Sequence, residues 1–85
     1  MRVRPSRGLA WQTIEGEAVL LDLSRGRSLG LNETASVVWS LLPDHDDEQI
    51  AQELARRFDV SAEQARDDVA RLIGRLLERG LVEKA

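Results

Sequence analysis

The stretch VLLDLSRGRSLGLNETASVVWSLL, residues 19–42, decides the fold. Val19 to Leu23 is an apolar strand, and Ser24-Arg25-Gly26-Arg27 is a tight polar turn. Ser28 to Leu31 is a short second strand, after which Asn32 starts a helix carrying Val38, Trp39, Leu41 and Leu42. Strand, turn, short strand and capped helix, in that order, leave a sheet edge lying beside helices. Such an edge has unpaired backbone groups that an extended peptide can fill.

Upstream, Pro5 and Gly8 lie among arginines, so residues 1–8 are expected to be a flexible arm. Leu9 to Ile14 alternates in part, with Leu9, Trp11 and Thr13 on one side, and reads as a strand. Glu15-Gly16-Glu17 is a hairpin turn, since glycine accepts positive φ at little cost. The following strand, Glu17 to Leu23, puts Val19, Leu21 and Leu23 on one face, with Leu20 giving partial cover to the other. With Ser28–Leu31 this makes a three-stranded antiparallel meander.

Downstream the chain is helical. Asn32 is a good N-cap, Glu33 suits the positive end of the helix dipole, and Pro43 stops the helix. Asp46 or Asp47 caps a second helix that buries Ile50, Ala51, Leu54 and Phe58. Ser61-Ala62-Glu63-Gln64 has the capping-box pattern, and Ala65, Val69, Leu72, Ile73 and Leu76 form one stripe of a third helix. Gly80 ends it, and Leu81 and Val82 pack back on the domain. The expected fold is α+β: a small winged-helix-like domain over residues 9–83, a three-stranded antiparallel sheet followed by three helices.

With 85 residues there is one modest core, and without cysteine neither a disulfide framework nor a thiolate metal site can support it. No segment resembles a signal peptide or a membrane span, so a cytoplasmic protein with no membrane partner is expected. Residues 1–31 hold five arginines against three acids, whereas residues 32–85 hold seven basic and twelve acidic side chains. Mildly basic strands beside acidic helices fit a polypeptide partner better than nucleic acid.

Catalytic material is scarce, and no enzyme activity, cofactor or metal is expected. His45, the single histidine, sits in Pro43-Asp44-His45-Asp46-Asp47, which reads as a surface turn and helix cap rather than a ligand set. Ser24, Ser28 and Ser36 have no histidine or lysine base at recognisable spacing. Arg25-Gly26-Arg27 has one glycine and is not a phosphate-cradling loop. The alternative function is a winged-helix DNA-binding regulator reading with Arg66, Arg71, Arg75 and Arg79. However, Glu63, Asp67, Asp68 and Glu78 interleave with those arginines and would repel phosphate. Peptide capture instead needs a strand edge, an apolar slot and a few rim charges. At about 100° per residue, Asp68, Leu72 and Arg75 share one flank of the third helix, with Arg71 slightly further round.

Leu20-Leu21-Asp22, Arg25-Gly26-Arg27, Leu31-Asn32-Glu33-Thr34-Ala35 and Val38-Trp39-Ser40-Leu41-Leu42 resemble the PqqD family. So do Phe58-Asp59-Val60, Asp68-Val69 and Gly80-Leu81-Val82, in order over residues 9–83. The resemblance implies a non-catalytic adaptor binding the leader of a ribosomally synthesised precursor peptide by strand addition. It implies backbone pairing along Arg27, Ser28, Leu29, Gly30 and Leu31, and side-chain contacts from Asp68, Arg71, Leu72 and Arg75. It also implies a partner tailoring enzyme: a leader peptidase and cyclase in lasso-peptide biosynthesis, or a radical SAM enzyme in pyrroloquinoline quinone biosynthesis. Arg25-Gly26-Arg27 resembles the stand-alone lasso type more. Ser28 and Gly30 depart from the bulky residues the family commonly carries there, which shifts recognition onto the backbone. On this reading Leu29→Pro abolishes peptide binding. The same edge could accept a second copy, so the sequence leaves the oligomeric state open.

Overall fold

The computed structural model describes all 85 residues. The elements in chain order are β1 (Val3–Pro5), β2 (Leu9–Ile14), β3 (Glu17–Asp22), β4 (Arg27–Gly30), α1 (Glu33–Leu41), α2 (Asp47–Phe58), α3 (Ala62–Glu78) and β5 (Val82–Lys84). β2, β3 and β4 form the antiparallel meander in that spatial order, and the three helices follow, as expected. No helix is long and apolar enough to cross a membrane.

The first residues are not a free arm. β1 pairs antiparallel with β5, Val3 opposite Lys84 and Pro5 opposite Val82, and the Val3 side chain is fully buried. The Asp47 amide also donates to the Met1 carbonyl at 3.1 Å. Arginines and a proline conceal one β-branched core residue. Its strand partner lies at the other end of the chain, outside any local pattern.

The meander's faces are also the reverse of the expectation for its middle strand. Ala18, Leu20 and Asp22 point into the domain, whereas Leu21 and Leu23 are 40% and 70% exposed. Parity along a strand says which residues share a face, not which face the helices cover. Here the helices cover the Leu20 face, where Ala18 and Leu20 share one core with Val38 and Trp39. Trp11, opposite Leu20, lies on that inner face and packs edge-on against Trp39, with ring centroids 5.3 Å apart at 82°. Glu15 and Gly16, with φ of 52° and 81°, form the hairpin turn between β2 and β3.

The helix ends follow local chemistry. Asn32 accepts from the Ala35 amide at 2.8 Å, and Asp46, with Gln49, forms a full capping box for α2. Ser61 accepts from the Gln64 amide at 3.0 Å, but the Gln64 side chain turns away to donate to Asp68. That expected box is therefore half made. α3 closes in a Schellman motif, with Gly80 N–H donating to the Leu77 carbonyl and Leu81 N–H to the Leu76 carbonyl.

Two measurable consequences arise from the helices. An added methyl at Gly74, inside α3, would meet nothing within 4 Å. Gly74→Ala should therefore stabilise the domain by about 1 kcal/mol in urea unfolding, the usual helix-interior difference. On α2, hydrogen bonds and charge from Arg56 and Arg57 lower the Glu53 carboxyl from 4.5 to about 2. A carboxyl acidified by folding stabilises above its unfolded pKa and loses that contribution as pH falls through the folded one. Stability should thus drop as pH falls from about 4.5 toward 2. Glu53→Gln should flatten that part of the profile.

Candidate functional site

β4 is an edge of the meander, and its ladder parity determines what the edge offers. The Leu31 amide donates to the Ala18 carbonyl at 2.8 Å, so residue 31 directs its backbone toward β3. In an antiparallel pair this direction alternates, and the register puts Leu29 opposite Leu20 and Arg27 opposite Asp22. Arg27, Leu29 and Leu31 therefore face β3. Ser28 and Gly30 direct their N–H and C=O groups away from the sheet. The two residues with the smallest side chains are the ones whose backbone is open to a further strand.

Ser36 anchors the Leu31 end of this edge. Its buried hydroxyl accepts from the Ala18 amide at 2.8 Å and donates to the Leu31 carbonyl at 3.2 Å. It thus occupies the place of a ladder bond and ties both strands to the first turn of α1.

The Arg27 end is anchored by Asp22, whose carboxylate is largely buried. The Ser24 hydroxyl, donating at 2.8 Å, does most to hold its carboxyl below the usual range, followed by the Arg25 amide and the Arg25 and Arg27 charges. Burial opposes them. Arg25 also donates from Nη1 to the Arg79 carbonyl at 2.9 Å, fastening the turn to the end of α3. A Cβ at Gly80 would come within 2.7 Å of that nitrogen, so a hydrogen at this position keeps the guanidinium seated.

Three adjoining hollows, which share lining residues and together form a groove, follow β4, the start of α1 and the flank of α3. At the Leu31 end a hollow of about 320 Å³ has Ala35, Val38, Leu54 and Leu72 as apolar lining and Asp68, Arg71 and Arg75 among its polar residues. A second, of about 170 Å³, lies between Leu29–Leu31 and Leu72, Arg75 and Arg79. A third, of about 50 Å³, lies between Arg27, Ser28 and Leu29 on one side and Arg79 and Leu81 on the other. Arg27, Ser28, Leu29, Gly30, Leu31, Asp68, Arg71, Leu72 and Arg75, the residues singled out from sequence, all line it. Asn32, Ala35 and Arg79 line it as well, beyond what the sequence reading includes. Local pattern shows Asn32 only as a helix cap and Arg79 only as helix surface.

Leu72 is the half-buried member of the α3 stripe and borders both larger hollows. Asp68 is held by Gln64 at 2.9 Å and by Arg71 at 3.4 Å. No ion pair involves Arg75 or Arg79. The groove thus has a mixed lining in which Leu72 is central, an acid at one end and unpaired guanidinium groups beside the edge strand. His45 is elsewhere, its Nδ1–H donating to the Leu41 carbonyl at 2.9 Å as a cap on α1.

The family described as Coenzyme PQQ synthesis protein D (PqqD) matches residues 17–82. Among solved structures, the lasso peptide synthetase B1 complexed with the leader peptide is similar at 28% identity and a TM-score of 0.90, over 98% of this chain and 99% of that one. TbiB1 in complex with the TbiA(beta) leader peptide is 26% identical, with a TM-score of 0.89 over 96% of each chain. The PqqD truncation of Methylobacterium extorquens PqqCD has a solution structure and is described as a functional, stand-alone recognition element for ribosomally synthesised and post-translationally modified peptides. It is 25% identical, with a TM-score of 0.79 over 98% of this chain and 89% of that one. No curated protein sequence matches this chain.

Proposed function

The chain belongs to the PqqD family, and we propose that it is a non-catalytic adaptor that takes up the leader of a ribosomally synthesised precursor peptide as a further strand on β4. The observation that carries this is the open backbone of Ser28 and Gly30 beside a groove lined by Leu29, Leu31, Ala35 and Leu72 together with Arg75 and Arg79. Main-chain pairing supplies much of the affinity, and pockets for alternate leader side chains supply the selection. From Asp68 to Arg79 the flank of α3 is about 16 Å long, which matches about five residues of extended peptide.

The precursor we favour is of the lasso-peptide class, since the lasso peptide synthetase B1 is the more similar in fold, at a TM-score of 0.90 against 0.79 for the PqqD truncation. The adaptor then presents the leader to a leader peptidase and the core to a cyclase. A radical SAM enzyme is the corresponding partner in a quinone-type pathway. DNA reading fits less well, because Arg66 is paired with Glu48 at 3.2 Å and Arg71 with Asp68. Two of the four arginines that would read DNA are thus paired with carboxylates, which leaves Arg75 and Arg79 to release phosphate counterions.

The test is titration of the chain with a synthetic leader from the precursor encoded beside its gene, in parallel with a short DNA duplex. Saturable leader binding with no duplex binding supports the adaptor. Salt-sensitive duplex binding without leader binding overturns it. Arg75 faces the groove without an acidic partner, so Arg75→Glu should weaken an acidic leader by about tenfold while leaving thermal unfolding unchanged.

A further inference from the structure

The meander has a second open edge, on the side away from β4. Because Ala18, Leu20 and Asp22 direct their backbones to β4, residues Glu17, Val19 and Leu21 direct theirs to β2. The register makes Ile14, Gln12 and Ala10 their partners, which turns the N–H and C=O groups of Trp11 and Thr13 outward. Leu9 shares that direction, and its amide is already taken by the Ser6 carbonyl at 3.3 Å. From Trp11 to Ile14 the strand is exposed, Trp11 by 48% and Ile14 by 54%. Proteins usually blunt such an edge with proline, lysine or a bulge, and β2 has none of these.

We propose that this edge pairs two copies of the chain, β2 to β2, about a two-fold axis through Gln12. The order of residues suits a second copy in particular. An antiparallel pair centred on Gln12 puts Trp11 opposite Thr13 of the second copy, so the outward groups of both strands satisfy one another. Ala10 and Ile14, which share the outer face, then meet across the axis and cover exposed apolar surface. Arg7 precedes the strand, Glu15 and Glu17 follow it, and all three are exposed without ion-pair partners. Reversal of direction brings each Arg7 to the acidic turn of the other copy, whereas a parallel pair would set like charges together. The resulting six-stranded sheet has β4 at both outer edges, so each copy keeps its groove. The proposal stands independently of the peptide-binding reading.

Sedimentation velocity on the full chain without peptide, from low micromolar to near-millimolar concentration, tests it. A reversible monomer–dimer equilibrium is expected. Thr13→Pro removes an outward donor and spares the β2–β3 ladder, so it should leave a folded monomer throughout that range. Arg7→Glu, an exposed change that the fold tolerates, should weaken the dimer by about tenfold, and adding Glu17→Lys should recover most of that loss. A native chain monomeric throughout overturns the proposal, as does a dimer indifferent to both Thr13→Pro and Arg7→Glu. If Gly30→Pro abolishes the dimer while Arg7→Glu does not weaken it, the copies meet at β4 and the assignment is wrong.

Discussion

Ser36→Ala is expected to destabilise the domain by about 2–6 kcal/mol, because it orphans two buried backbone groups at about 1–3 kcal/mol each. The Ala18 amide and the Leu31 carbonyl are joined only through the Ser36 hydroxyl, at 2.8 and 3.2 Å. Neither meets water there, since Ser36, Ala18 and Leu31 are all buried. The effect should appear in urea unfolding followed by far-UV circular dichroism. It should be accompanied by weaker leader binding, because the Leu31 end of β4 loses its tie to α1. A loss below about 0.5 kcal/mol would mean that the strands close up and bond directly, and that the hydroxyl is a spacer.

Gly30→Pro and Leu29→Pro should separate binding from folding, in opposite directions. Gly30 directs its amide outward and has no positive φ, and a Cβ there meets nothing within 4 Å. Proline at that position therefore leaves the sheet intact and removes a donor from the incoming strand. The expected result is a folded protein that binds the leader about tenfold to a hundredfold more weakly. Leu29 faces Leu20 within the ladder, so proline there breaks the β3–β4 pair and costs about 1–3 kcal/mol of stability. The sequence alone points to Leu29→Pro as the variant that tests binding. The ladder direction transfers that role to Gly30. A folded Gly30→Pro variant with unchanged leader affinity would sink strand addition at β4.

Much of the groove is legible in the sequence. Asn32, Pro43, Ser61 and Gly80 mark helix ends by chemistry acting within a few residues, so α1 and α3 can be bounded locally. The flank formed by Asp68, Leu72 and Arg75 follows from helical period alone. Three features are not legible. The β1–β5 pair joins residues about eighty positions apart, and no local pattern announces it. The buried face of β3 goes to Leu20 rather than to the more numerous apolar residues at 19, 21 and 23. Ser36 is unremarkable as a candidate nucleophile, yet it bridges two strands, a role that depends on where α1 lands.

The sequence by itself determined the kind and order of the elements, because turns, caps and periodicity are short-range. It also determined that any recognition at residues 28 and 30 must go through the backbone, since serine and glycine offer little side chain. Only the tertiary structure decided which backbone groups are free. Strand direction alternates along the chain, and its phase is set by the Leu31–Ala18 bond between segments thirteen residues apart. That one phase leaves Ser28 and Gly30 open at one edge and Trp11 and Thr13 open at the other.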